Sequence, residues 1–248
     1  MASYHVEVKS GQKGSAETHA CYIMRKGWLQ SRGDLICSGF GNMPVWAGND
    51  PLRFWRAADR FERSNGAAYR EMIIALPSEL SPTQRDMLVA RLILEFAGSK
   101  PFQYAIHASV SSLEGELNMH LHLMMSDRMP DGIERDEART FSRYNPAHPA
   151  AGGCRKDSGG SDLKQMREQL IAKRKLAADL QNQVLAESGY SARVDHRSLQ
   201  EAAAGRVAER HLGPARIRAM SDSEKTDYLD WRRSRRAECR GSQERSRG

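Results

Sequence analysis

Met119-His120-Leu121-His122-Leu123-Met124-Met125 decides the reading of this chain. It is an apolar run of strand length that carries two histidines with one leucine between them. In a strand, residues i and i+2 point to one face. His120 and His122 therefore project together, while Leu121 and Leu123 face the other way. Upstream, Ala105-Ile106-His107-Ala108 lies in a second apolar run, and Ser111-Ser112-Leu113-Glu114-Gly115-Glu116-Leu117 between the two reads as a hairpin loop. Strands are placed at about Phe102–Val110 and Asn118–Ser126. A lone buried histidine is usually structural, but a pair on one buried face needs two polar partners. Paired strands could bring three imidazoles to one point. Three nitrogen donors with open positions suit a catalytic divalent metal. Such sites serve hydrolases, oxygenases and phosphotransfer enzymes alike, so the triad alone names no reaction.

Tyr69 to Leu76 reads as a further strand, closed by Pro77. Ser81-Pro82 starts a helix, an N-cap with proline at the first helical position, that Gly98 stops. Near the N-terminus, Tyr4 to Lys9 alternates as a strand, Ser10 to Ser15 turns, and Ala16 to Lys26 is helical with Gly27 as its terminal cap. Tyr22 lies on that helix, with His19 and Arg25 three residues to either side. A tyrosine there is most often a packing residue. Trp28 to Asn49 reads as a long irregular loop, a type of segment that is often functional. Asp50-Pro51 opens a helix to about Asn65. Residues 132–160 read as polar loop. A long helix runs from Ser161-Asp162 to about Glu187, with Leu163, Met166, Leu170, Leu176, Leu180 and Val184 at helical spacing. Residues 192–197 are extended, Ser198 caps a short helix, and His211-Leu212-Gly213-Pro214 turns. The segment from Ser221 is helical at first and ends in an arginine-rich polar tail. Hairpin-linked strands among helices predict an α+β domain, with a central, mostly antiparallel sheet flanked by helices.

The chain has 248 residues, 40% hydrophobic and 28% charged, with a formal net charge of +7. The excess of basic residues suits a partner bearing phosphates. Cys21, Cys37, Cys154 and Cys239 have neither metal-finger spacing nor the density of a disulfide framework, which fits a reducing cytoplasm. No signal core and no long apolar run is present, so no membrane insertion is expected.

A series of motifs, in order, resembles the MobA/MobL family of plasmid mobilisation relaxases, among the His-hydrophobe-His endonucleases. They are the N-terminal strand and Gly/Ser loop leading to Tyr22-Ile23-x-Arg25-x-Gly27; Asp59 to Gly66; Tyr69 to Pro77 with Glu71; Ala105-Ile106-His107; His120-Leu121-His122-Leu123-Met124; Asp131 to Arg135; Phe141-x-Arg143-Tyr144-Asn145; and Val194 to Leu199 with His211 to Pro214. The resemblance covers roughly residues 1–216. It implies a catalytic domain over 1–216, with 217–248 as a basic helical tail and the whole as a stand-alone relaxase.

The resemblance implies a bacterial, plasmid-encoded, cytoplasmic DNA strand transferase. Such an enzyme nicks one strand at an origin of transfer and stays joined to the 5′ phosphate through a tyrosine. By position Tyr22 matches the nucleophile, and His107, His120 and His122 match the metal ligands. Glu71 matches an acidic residue near the metal. The family is associated with magnesium or manganese, whereas donor softness alone would also admit zinc. The implied partners are single-stranded DNA at the origin, relaxosome accessory proteins and a type IV secretion coupling protein. Single-strand binding uses basic grooves with aromatic platforms, for which Arg25, Lys26, Trp28, Arg143 and Tyr144 are candidates. The alternatives are a rolling-circle replication initiator, in which the tyrosine often follows the paired histidines, and a non-enzymatic accessory protein with a structural metal.

Overall fold

The computed structural model describes residues 4–110, 117–157, 162–198, 201, 212 and 214–245. The chain divides into one unit of Met1–Ser109 with Asn118–Val194 and another of Val110–Leu117 with Asp195–Gly248. Every residue named above for catalysis, metal binding or DNA contact lies in the first.

The first unit is built on a sheet of β1 (Val6–Gln12), β2 (Leu35–Gly41), β3 (Ala67–Ala75), β4 (Phe102–Val110) and β5 (Leu117–Met125), in the order β1-β3-β5-β4-β2. The β1–β3, β3–β5 and β2–β4 pairs are antiparallel. Its helices are α1 (Ala16–Ile23), α2 (Pro51–Phe61), α3 (Pro82–Phe96), α4 (Glu137–Phe141) and α5 (Leu163–Glu187). The period of two sorts the β5 side chains as the sequence requires. Leu121, Leu123 and Met125 join Met72, Ile74, Leu88, Leu92 and Val184 in a core under α3 and α5. Met124 joins Ala105, Tyr69, Phe54 and Trp55 in a second core under α1 and α2. In the second unit, α6 (Pro214–Ala219) precedes α7 (Asp222–Arg245). No described helix is long and apolar enough to cross a membrane.

Several boundaries differ from those the sequence suggests. β1 runs on through Ser10 and Gly11 to Gln12, because Gly11 packs under Tyr69, where any Cβ would strike the ring. The stretch expected to be loop contains β2. Its glycines disguise it: Gly39 and Gly41 lie beneath Tyr104 and Phe102 of β4, which leave no room for a side chain. The polar stretch 132–160 holds the single-turn-scale helix α4, and α7 continues to Arg245. The hairpin loop 111–116, most of the short helix after Ser198, and His211 and Gly213 of the proposed turn lie outside the described residues.

Helix α1 is clamped at both ends. Ser15 makes no side-chain cap. Instead the Asp59 carboxylate on α2 accepts from the amides of Gly14, Ala16 and Glu17 at 2.7–2.9 Å, satisfying orphan donors and complementing the helix dipole. At the far end α1 stops at Ile23, not Lys26. The Lys26 amide donates to the Cys21 carbonyl and the Arg25 amide to that of Tyr22, the two hydrogen bonds of a Schellman cap. The left-handed position that glycine usually fills is occupied by Arg25, with φ 51°. On β4, Gln103 Nε2 donates to the Ala20 carbonyl at 3.0 Å, and His107 Nε2 donates to that of Ile23 at 2.7 Å.

A second buried ion cluster ties α2 to the chain beyond β5. Arg128 forms a bidentate pair with Glu62 and donates to the carbonyls of Phe141, Ser142 and Cys154. Lys156 Nζ stands 3.1 Å from the same carboxylate. Breaking a buried pair strands the remaining charge. Arg128→Met is therefore expected to cost about 3–5 kcal/mol, measurable by denaturant unfolding; a loss under about 1 kcal/mol would contradict the role assigned to this cluster.

Candidate active site

His107 on β4 and His120 and His122 on β5 converge on the α1/α2 side of the sheet. Their ring centroids lie 4.6–5.5 Å apart. One nitrogen from each lies within 4.8 Å of the other two, close enough to share a metal ion. The hydrogen bonds identify the available atoms. His120 Nδ1 donates to the Asn118 carbonyl at 3.0 Å, which frees its Nε2. His122 Nδ1 pairs with Glu71 Oε1 at 2.7 Å, which frees its Nε2 likewise. The latter is the carboxylate–histidine arrangement that orients metal ligands and raises their basicity.

His107 is fully buried. Its Nε2 carries the hydrogen given to Ile23. Its Nδ1 therefore holds the lone pair, which accepts from Arg25 Nη2 at 3.0 Å. A guanidinium has no acceptor, so this tautomer is fixed. Ligation through His107 would use that Nδ1 in competition with Arg25.

The electrostatics favour the neutral form of His107 and His120 and the charged form of Glu71. Burial lowers the His107 pKa to about 4, only partly opposed by the bond to Ile23. Burial lowers that of His120 too. Burial of Glu71 would by itself raise its pKa, but the hydrogen bond with His122 and the close approach of the His19 ring prevail and hold it at about 2. His19 Nε2 lies 3.0 Å from Glu71 Oε1, off the line of a well-formed hydrogen bond. Neutral imidazoles are the form that binds a metal. The donor set thus fits a divalent ion.

The depressed His107 pKa makes a stability prediction. An unfolded histidine titrates near 6.5. Between that value and about 4, the unfolded chain takes up a proton that folded His107 refuses, so stability falls as pH falls through this window. The contribution is about 3 kcal/mol, complete above the window and gone below it. Melting of the chelator-treated protein is expected to show this slope. His107→Gln, which can still accept from Arg25 and donate to Ile23, is expected to reduce it, leaving the part that His120 contributes. The Asp34 and Glu71 carboxylates, both held at about 2, act only at lower pH.

Tyr22 occupies the last turn of α1, one residue before the carbonyl that His107 holds. It is 36% exposed. The Arg25 guanidinium lies 4.8 Å from its ring centroid and that of Arg32 5.8 Å, and the His19 ring stacks at 6.0 Å. Arg25 joins the two halves of the site. It covers the tyrosine ring, donates to the Tyr22 carbonyl and to His107, and pairs bidentately with Asp34. Only 5% of it is exposed, so its donors are committed inside the protein and hold the site together.

The other DNA-contact candidates separate. Lys26 is exposed and Trp28 is 81% exposed just beyond α1. Arg143 and Tyr144 line a cavity that none of the three histidines lines. Asp34 and the Glu62–Arg128 cluster are absent from the sequence-based site. Asp34 sits in a stretch read as loop and carries no spacing signal, while the pairing of Glu62 with Arg128 joins positions far apart in the chain.

Residues 11–222 match the MobA/MobL family. The 43 kDa relaxation protein of Salmonella typhimurium is 42% identical over 203 residues, covering 81% of this chain and 55% of that protein. Mobilization protein A of Escherichia coli is 35% identical over 236 residues, covering 93% and 32% respectively. The chain thus spans about half the length of the first relative and a third of the second. A solved structure described under "Molecular Basis of Vancomycin Resistance Transfer in Staphylococcus aureus" superposes with a TM-score of 0.58 over 79% of this chain and all of its own, at 21% identity, a likeness of fold. The family match over most of the chain establishes that it belongs to the MobA/MobL family.

Proposed function

We propose that this chain is the strand-transfer domain of a plasmid mobilisation relaxase. In this reading it nicks one DNA strand at an origin of transfer and retains the 5′ phosphate on Tyr22. The observation that carries the proposal is the junction made by Arg25, which covers the Tyr22 ring and bonds His107 of the histidine triad. The names of the relatives, a relaxation protein and mobilization proteins, support it.

His107, His120 and His122 would hold a divalent ion, manganese or magnesium in the proposed cellular reaction. Bound there, the ion supplies charge neutralisation at a non-bridging phosphate oxygen. Glu71 fixes the His122 ring and keeps its Nε2 directed at the ligand position. Arg25 and Arg32 place positive charge beside the phenol that must attack an anionic ester. Asp34 holds Arg25 in place. Tyr22 Oη forms the new ester bond to phosphorus as the bond to the 3′ oxygen breaks, and that oxygen leaves as the 3′ hydroxyl. One phosphodiester replaces another, so the step can run backwards and reseal the strand. Lys26 and Trp28, exposed beside α1, would meet the unpaired strand. Relaxosome proteins and a secretion coupling protein are the proposed protein partners, in a bacterial cytoplasm.

The test is incubation of single-stranded origin DNA with the protein and manganese, followed by denaturing electrophoresis. A protease-sensitive DNA adduct mapped to Tyr22 is expected. Origin binding that survives chelation without any cleavage would instead favour an accessory DNA-binding protein.

A further inference from the structure

We propose that the cavity at the end of β3 and β5 is a second DNA site, holding one unpaired nucleotide of the strand away from the histidine triad. The inference rests on the relaxase reading for the identity of the ligand. The cavity is an open cleft of about 400 Å³, within the roughly 300–1,000 Å³ common for small-ligand clefts. Its walls come from the turn after α2, the start of β3, the chain following β5 and the chain following α4.

Five cations, Arg63, Arg70, Arg128, Arg143 and Lys156, line it together with two carboxylates, Glu62 and Asp127. Their pairing divides them into two groups. Arg128 and Lys156 share Glu62, and Arg70 pairs with Asp127 at 2.8 Å. These pairs are structural. Among the described residues, no carboxylate lies within ion-pair distance of Arg63 or Arg143, and the best contact of the Arg63 guanidinium is Asn65 at 3.4 Å. Both are exposed on the rim. Two uncommitted guanidiniums over a surplus of positive charge suit a phosphodiester, which arginine can bind in bidentate fashion.

The remaining element is aromatic. Tyr144, next to Arg143, is half-buried in the wall. A phosphate on the arginines would bring its nucleoside to this ring, and a base stacked on an aromatic ring beside a basic rim is the way proteins hold unpaired strands. The loop is fixed for the purpose: Arg128 holds the carbonyls of Phe141 and Ser142, immediately before Arg143 and Tyr144. Gly152 and Gly153 pack so closely on residues 142–145 that a Cβ on either would strike their backbone. A duplex base has no free face to stack, so the chemistry selects an unpaired strand, which the relaxase reading makes DNA.

The experiment is fluorescence anisotropy of a labelled oligothymidylate over a salt series, using the full chain. Arg63→Ala with Arg143→Ala is expected to weaken binding about tenfold or more and to reduce the salt slope by about 0.7, the value for one phosphate contact on a single strand. Tyr144→Leu is expected to weaken binding about tenfold with the slope unchanged. Manganese affinity by calorimetry and the melting temperature report whether the variants remain folded with an intact triad. If both variants bind as the parent does while the parent still forms its Tyr22 adduct, the second site is overturned and the relaxase reading stands. If the parent binds no oligothymidylate and forms no adduct, that reading falls and this one with it. Displacement of the oligonucleotide by inorganic phosphate or thymidine monophosphate at matched phosphate concentration would overturn the strand assignment in favour of a site for a free anion.

Discussion

Tyr22→Phe is expected to abolish the covalent adduct while leaving strand binding within about threefold of the parent. The substitution removes one oxygen from a side chain that is 36% exposed and whose ring contacts are to Arg25, Arg32 and His19. Those contacts involve the ring, so phenylalanine keeps the packing. What disappears is the atom that forms the ester in the proposed reaction. Deleting a nucleophile that acts as part of a unit costs on the order of 10³–10⁶ in rate. Cleavage should therefore drop below detection, with melting temperature and manganese affinity held. A persistent adduct in this variant would place the nucleophile elsewhere in the chain.

The second large effect is on metal binding. His122→Ala removes a proposed metal ligand and also strands Glu71, a buried carboxylate that loses its 2.7 Å partner. Loss of an outer partner alone costs about 10–100-fold in metal affinity, so loss of this ligand should cost more than about 100-fold. Because the stranded charge also threatens the fold, His120→Ala is the companion. His120 is half-buried and its Nδ1 touches only the Asn118 carbonyl, so the folded state should tolerate its removal. Calorimetric titration with manganese is expected to show near-complete loss in both variants. Unchanged affinity in both would remove the triad from consideration as the metal site.

The histidine strands were legible because a period of two inside an apolar run leaves no alternative orientation for His120 and His122. Tyr22, Arg25 and Glu71 could be named from the order of motifs, but their geometry could not. Nothing local says that Arg25 turns inward, since a left-handed arginine at the end of α1 reads in sequence as one more basic residue before Gly27. β2 was hidden because two of its inward positions, Gly39 and Gly41, are glycines covered by β4 aromatics, which breaks the β-branched pattern that marks a strand. α4 is too short to display a helical period. The cavity around Tyr144 depends on Glu62 finding Arg128, a pairing between distant positions that no spacing rule encodes.

The double clamp on α1 has a mechanical consequence. In the proposed reaction the cut strand hangs from Tyr22 Oη, and any tension on it pulls at the last turn of a short helix. A turn held only by its own hydrogen bonds would unwind under such a load and carry the phosphotyrosine away from the 3′ end. Here the pull passes through the Ala20 and Ile23 carbonyls into Gln103 and His107 of β4, and through the Asp59 carboxylate into α2. The attachment point behaves as an anchorage. Its compliance, readable by pulling the adduct against an Asp59→Ala variant, would decide how often a severed strand finds its way back to be resealed.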